Sequence, residues 1–364
     1  MKNSIKKIYK SILTLTSARW EPYSRLILAG DNAGWVLDWE MQEIGRIANR
    51  LGIRLAREDF RYALSPQSLF LANQFFMLRD DWLDWPHRIG LSYFHGLPGT
   101  GDPLFDRVYE SLCKNHDRIS RIQASHTQMR NVILESGIES SKVSLIPIGI
   151  NLDYFPFRQE EDKRIARQKL GISESAFVIG SFQKDGVGWG DGMEPKLIKG
   201  PDVFLSVAQE LKSKTSELFV LLSGPARGYV KAGLEKLGIP YKHLYLASYP
   251  RIGLLFQALD VYLVTSRQEG GPKAILESMA SGVPIISTRA GQAMDLIGHG
   301  QNGWLADSED INGMVQWVHH LRSLNHSTLS SMLANGRATA EANSYPAQMP
   351  LWSEFMKGFV SWHQ

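Results

Sequence analysis

Cysteine is all but missing: Cys113 is the only one in 364 residues. An intrachain disulfide is thereby excluded, as is any cysteine-based metal site, and a reducing cytoplasm suits the chain best. No apolar run approaches the roughly 20 residues needed to span a bilayer. Net charge is also scarce, at a formal +3, and four lysines (Lys2, Lys6, Lys7, Lys10) sit in the first ten residues with no acid among them. Beyond that stretch 36 basic residues face 37 acidic ones, so the body of the chain is not a nucleic-acid binder by charge. The first glycine turn, GDNAG at 30–34, lacks the G-x-G-x-x-G pattern, which argues against a NAD-dependent oxidoreductase. No convincing Asp-x-Asp occurs, and Asp80-Asp81 in an aromatic loop reads as structural, so no metal site is expected.

With 364 residues, 43% of them hydrophobic, the chain can bury a core in each of two α/β domains. Its basic start superficially resembles a signal peptide, but the apolar run at 12–15 is short and rich in threonine. Ile5, Ile8, Ile12 and Leu15 fall at helical spacing with lysines between them. Two readings of the leader, residues 1–24, stay open: a helix lying on an anionic membrane face through residues 1–20, or a segment packed on the first domain.

The most informative stretch is 261–286, VYLVTSRQEGGPKAILESMASGVPII. Residues 261–265 are β-branched and apolar, as in a buried parallel strand, and 266–271 form a polar loop. Gly271 is expected as N-cap and Pro272 as the first helical residue, because proline's missing N–H has no intrahelical partner there. Ile275, Leu276, Met279 and Ala280 make the inward stripe, and Gly282 with Pro284 ends the helix. Helical side chains lean toward the N-terminus, so Glu269 and Glu277 can converge on one ligand. The start of such a helix also suits a phosphate.

Other strands are expected at 25–29, 53–56, 88–94, 118–124, 177–182, 218–223, 244–247, 284–288 and 304–306, with helices at 35–51, 102–115, 125–136, 201 onward, 252–258, 311–321 and 327–342. An apolar segment covers 69–78, and aromatics at helical spacing mark 346–362. The chain is expected to cross between domains at 151–157, stiffened by Pro147 and Pro156. The glycine-rich insertion between Lys184 and Lys199 is long enough to be a lid or an acceptor-recognition loop, in which Trp189 and Met193 contact a sugar or anchor the loop.

The order strand, E-G-G, helix, A-S-G-V-P, strand resembles the signature of retaining glycosyltransferases of family 4. The resemblance runs from about residue 25 to 360 and is strongest at 261–306 and 142–155. It implies a GT-B fold: two Rossmann-like domains facing across a cleft, here 25–152 for the acceptor and 153–343 for the nucleotide-sugar donor, with 344–364 returning as a helix to the first. It further implies transfer of a sugar from a nucleotide-diphosphate sugar, of UDP or GDP type, to a hydroxyl of a glycan, lipid-linked or cell-envelope saccharide, with retention of configuration and no metal or other cofactor. The roles it implies are His95 between donor sugar and acceptor, Glu269 on the sugar, Glu277 on the ribose, and Lys199 on the diphosphate. Gly180, Gly224, Ser248, Gly270, Gly271, Pro272, Lys273 and Ala274 would border the donor. Gly34 is either a phosphate contact or part of an ordinary tight turn. Ser181 stands where the family has arginine, and Lys184 is the nearest replacement. The alternatives are a GT-B nucleotide-sugar epimerase and a non-catalytic nucleotide-binding partner subunit; the presence of Glu269, Glu277 and Lys199 speaks against the latter.

Overall fold

The computed structural model describes residues 21–30, 36–56, 66–79, 81–246 and 248–362. Gly34, Asp80 and the leader helix expected at 1–20 lie outside the described residues.

The chain forms two compact units, Met1–Pro147 with Gln348–Gln364, and Ile148–Ala347. The crossing expected at 151–157 thus falls inside the second unit. In the first unit run β1 (Arg25–Ala29), α1 (Val36–Arg50), β2 (Arg54–Ala56), β3 (Ser68–Leu71), β4 (Arg88–Tyr93), α2 (Pro103–Asn115), β5 (Ile119–Ala124), α3 (Thr127–Glu135) and β6 (Val143–Leu145). Their sheet has the order β2-β1-β3-β4-β5-β6 and every described pairing is parallel. Helix starts follow local chemistry: the Asp102 carboxylate accepts from Leu104 N–H ahead of Pro103, and His126 accepts from Met129 N–H.

The second unit holds α4 (Glu160–Leu170), β7 (Phe177–Phe182), α5 (Pro201–Lys214), β8 (Leu218–Ser223), α6 (Gly228–Leu237), β9 (Tyr241–Leu244), α7 (Gly253–Phe256), β10 (Val261–Val264), α8 (Ala274–Ala280), β11 (Ile285–Thr288), α9 (Ala293–Leu296), β12 (Trp304–Ala306), α10 (Ile311–Ser323) and α11 (His326–Ala342). Its strand order is β12-β11-β10-β7-β8-β9, again parallel throughout. Alternation sends Val261 and Leu263 into one core and Tyr262 and Val264 into the other, so both sheet faces are buried. That is why these strands read as unbroken apolar runs.

The chain then returns to the first unit as α12 (Met349–Met356). Trp352 and Phe355 set their rings edge-on against Phe70 at 5.8 and 5.5 Å, and Phe359 fills the space left by Gly90, where a Cβ would lie 2.7 Å from the ring. A single helix across 346–362 does not form. Lys357 and Val360 instead bridge around Gly358, whose φ is +73°.

Three further expectations are corrected. The strand placed at 244–247 is β9, three residues earlier, because it pairs with β8 in a ladder that closes at Ser223 and Leu244. As an edge strand with half-buried Lys242 and His243, it carries a weak apolar signal. The helix expected at 252–258 is a 3-10 turn, Tyr249–Ile252, followed by α7. Helix α8 starts at Ala274 with Lys273 as cap residue, not at Gly271. Gly271 is held instead against the 290–292 turn: Gly270 O accepts from Gln292 N–H at 3.0 Å, and a Cβ on Gly271 would stand 2.4 Å from Ile148.

Candidate functional site

In the second unit the strand order reverses between β7, the first strand of the sheet, and β10, the fourth. Open parallel sheets bind ligands outside the carboxyl ends of the strands flanking such a reversal. Beyond those two ends lie Gln183 and Lys184 on one side and residues 265–271 on the other. The Tyr262 hydroxyl forms the floor, accepting from Phe182 N–H at 2.7 Å. Burial first, and then the charges of Glu277 and Glu269, raise its pKa above the ordinary tyrosine value.

Lys199 and Glu269 meet directly, with Nζ and Oε2 2.6 Å apart. The second oxygen of Glu269 accepts from the Ser266 hydroxyl at 2.8 Å. Sequence places these residues 70 positions apart, and backbone contacts bring the two loops together. Arg267 and Gln268 N–H both donate to Ile198 O, at 2.9 and 3.1 Å, and Thr265 Oγ1 donates to Gly200 O at 2.9 Å. Gly200 has φ +62°, and a Cβ there would lie 1.9 Å from Thr265 O, so this seam accepts glycine alone.

Arg267 braces the same seam from outside. Its guanidinium grips Asp202 with both terminal nitrogens, at 2.9 and 2.7 Å, and also reaches Leu197 O and Glu309, each at 2.7 Å. The Arg267 hydrogen bonds hold the Asp202 carboxyl below its ordinary pKa. A carboxylate depressed on folding stabilises the native state above its unfolded pKa, and that stability is lost as pH falls through the folded value. Asp202→Asn is therefore expected to lower stability by roughly 1 kcal/mol at pH 7, with the gap to wild type closing as pH drops below about 4. Thermal melts of both proteins across pH 3–8 check this; a gap independent of pH would refute it.

Ser181, which stands where the family has arginine, has its carbonyl bonded by an arginine from a distant position. Arg227 is fully buried, donates to the carbonyls of Ser181, Gln183 and Ser223 at 2.7, 2.9 and 2.9 Å, and pairs with Asp185 at 3.0 Å. Burial lowers the Arg227 pKa and raises that of Asp185, while their mutual attraction opposes both shifts. This cation holds the ends of β7 and β8 together and is closed to ligand. Lys184, by contrast, is half-buried. Its ammonium donates to Gly186 O at 3.2 Å and lies over the Trp189 ring, 4.9 Å from the centroid. Burial, then the nearby Lys199 charge, lowers its pKa.

The remaining candidates separate. Glu277 is buried in α8 and accepts from the Tyr249 hydroxyl. Lys273 is buried too: its ammonium donates to Gly149 O at 3.2 Å and the Tyr345 hydroxyl at 2.9 Å, between the Tyr249 and Tyr345 rings. It thus ties the two ends of the second unit to the signature turn. Pro272 O accepts from Ile275 N–H, and half-buried Ala274 opens α8. Gly180 packs against Leu259, where a Cβ would meet a methyl at 2.4 Å. Gly224, at φ +100°, passes 2.6 Å below Gln183 O by the same measure, and its carbonyl bonds His243 at 2.8 Å. Ser248 precedes the 3-10 turn that carries Tyr249. His95 belongs to the first unit, just past β4, among the rings of Phe75, Phe94 and Phe105.

Residues 194–337 match the family described as glycosyl transferases group 1. Over this segment the chain resembles that family. The match spans Lys199, Glu269 and Glu277 and begins after Trp189. Among curated relatives, the D-inositol 3-phosphate glycosyltransferase of Corynebacterium urealyticum is 28% identical over 269 residues, covering 68% of this chain and 59% of that protein. The lipopolysaccharide core biosynthesis mannosyltransferase LpsB of Rhizobium meliloti is 23% identical, covering 60% and 58%. The chain thus spans under two thirds of the length of these relatives. Anabaena HepE, solved with UDP and glucose, superposes with a TM-score of 0.72 at 16% identity over 92% of this chain and 99% of that one. Sucrose-phosphate synthase from Thermosynechococcus elongatus gives 0.70 at 13% identity over 92% and 98%. The fold of the chain is GT-B, two Rossmann-like α/β domains.

Three residues around the site carry no sequence signal that singled them out, Arg267, Asp202 and Arg227, whereas Tyr249, expected from its position beside the nucleobase, meets Glu277. Arg267 could have been suspected from its place in the S-R-Q-E-G-G loop; nothing in the sequence marks Arg227, which lies 46 positions beyond Ser181.

Proposed function

We propose that this chain transfers a sugar from a nucleotide-diphosphate sugar to an acceptor hydroxyl with retention of configuration and without a metal. The observation that carries the reading is the Lys199–Glu269 pair, fixed at the strand-order reversal with Glu277 held eight residues further on.

Departure of the diphosphate builds oxocarbenium character at the anomeric carbon and negative charge on the leaving phosphate. Fixed positive charge near that oxygen is then the most effective aid. Lys199 takes this role in the proposed reaction, and Lys184 adds a second cation. A lysine lacks the fork of arginine and acts as a point charge. Because the two ammonium groups supply the positive charge, turnover should persist in EDTA. On donor binding the phosphate takes over Lys199, releasing a carboxylate oxygen of Glu269 to sugar hydroxyls, while its other oxygen stays on Ser266. Glu277, oriented by Tyr249, accepts from the ribose hydroxyls. His95 orients the acceptor. No side chain is assigned as a covalent nucleophile; a same-face displacement, in which the leaving phosphate accepts the acceptor's proton, gives retention. The single exposed cysteine suits a reducing cytoplasm. Among the described residues no helix is long and apolar enough to cross a membrane.

A ligand bound only by the folded state raises the melting temperature by mass action. UDP, GDP and ADP are therefore expected to separate in a thermal-shift panel, one stabilising wild type clearly and Lys199→Ala far less. No shift with any of them would overturn the proposal.

A further inference from the structure

Residues 183–196, of which only the last three fall within the matched family segment, fold into a hairpin-like loop. Gly186 and Pro195 form an antiparallel bridge, Val187 N–H donates to Glu194 O at 2.9 Å, and Lys196 N–H to Asp185 O at 2.7 Å. The base is fixed by the buried Asp185–Arg227 pair. Its far side is docked on α6, whose Gly228 and Tyr229 N–H groups donate to Asp191 O and Gly192 O at 2.7 and 2.8 Å. A loop so well tied would be expected to bury its large apolar side chains, yet Trp189 is 61% exposed and Met193 59%. Trp189 stands between Gly188 and Gly190, where a Cβ would meet nothing within 4 Å. Lys184 holds the ring, and Lys199 lies within electrostatic reach of Lys184.

We infer that Trp189 is a stacking platform for the saccharide ring of the acceptor. The inference rests on the proposed transfer reaction, and on one consequence of its stereochemistry. In a same-face displacement the acceptor hydroxyl approaches from the side of the leaving phosphate. The ring beside Lys184 therefore flanks the approach, while the donor sugar belongs to Glu269. The face of an indole takes up the apolar C–H face of a sugar ring and buries a large area for little lost freedom. An anionic lipid surface fits less well, because Lys184 and Lys196 in this loop are outnumbered by Asp185, Asp191 and Glu194.

The test uses the whole chain and its Trp189→Phe and Trp189→Ala variants, saturated with UDP or, if the thermal-shift panel selects it, GDP. Methyl α-glycosides of glucose, galactose, mannose and N-acetylglucosamine are titrated by saturation-transfer difference NMR. The expected result is that at least one binds wild type, that Trp189→Ala weakens it at least tenfold, and that Trp189→Phe falls between. The nucleotide should stabilise all three proteins equally. Binding of none of the glycosides, or equal binding by Trp189→Ala, overturns the inference while leaving the transfer reaction standing. Trp189-dependent sedimentation with phosphatidylglycerol vesicles would likewise overturn it in favour of lipid. Absence of any nucleotide shift in wild type instead removes the reaction beneath it.

Discussion

Lys199→Ala is expected to lower kcat/KM for the nucleotide sugar by about 100- to 1,000-fold, the range found when one fixed donor to a developing negative charge is removed. The loss should fall mainly on kcat, since charge on the leaving phosphate grows toward the transition state. Folding should survive, because the Lys199 side chain is only partly buried and the seam beneath it is made by backbone and hydroxyl groups. Glu277→Ala should cost less, about 10- to 100-fold, as expected for the loss of hydrogen bonds to one charged group. That loss should appear in KM with kcat little changed, because ribose contacts are made equally in ground and transition states. Steady-state kinetics with the preferred nucleotide sugar, alongside thermal melts, separate these effects. Undiminished transfer by both variants would refute the roles given to Lys199 and Glu277.

Arg227→Met is expected to destabilise the protein by about 3–5 kcal/mol, because it strands the Asp185 carboxylate in the interior and leaves three carbonyls without their donor. For a unit the size of Ile148–Ala347 this corresponds to a fall in melting temperature of roughly 10 °C. Replacing both members, Arg227→Met with Asp185→Ala, should cost less than the sum of the single changes, since no buried charge then lacks its partner. Urea unfolding of the single and double variants measures this. A loss below about 1 kcal/mol for Arg227→Met would mean that the pair does not hold the ends of β7 and β8.

The buried strands were the most legible part of the chain. Residues 25–29, 177–182, 218–223 and 304–306 are strands with the bounds their composition indicated, because a parallel strand covered on both faces writes itself as an apolar run. Strand β9 shows the converse: at a sheet edge its polar residues remain half-exposed, and only pairing with β8 sets its limits. The signature marked Glu269 and Glu277 as candidates, and a separate Lys-Gly pair marked Lys199. Their bracing was hidden, since Arg267 grips Asp202 65 positions away and Tyr249 meets Glu277 across 28. Lys273, which the resemblance placed beside the donor, reaches Gly149 and Tyr345, partners 124 and 72 positions away. Local patterns specify element type. Which side chains meet is decided by long-range packing, which no local pattern carries.

Sugar transfer itself is tested by incubating the purified chain with UDP-, GDP- and ADP-sugars, a panel of methyl glycosides and EDTA, and following the anomeric protons by NMR. The predicted result is release of a nucleoside diphosphate from one donor, dependent on Lys199, with a new glycosidic bond of the donor's own anomeric configuration. An inverted product, or donor left intact throughout the panel, would contradict it.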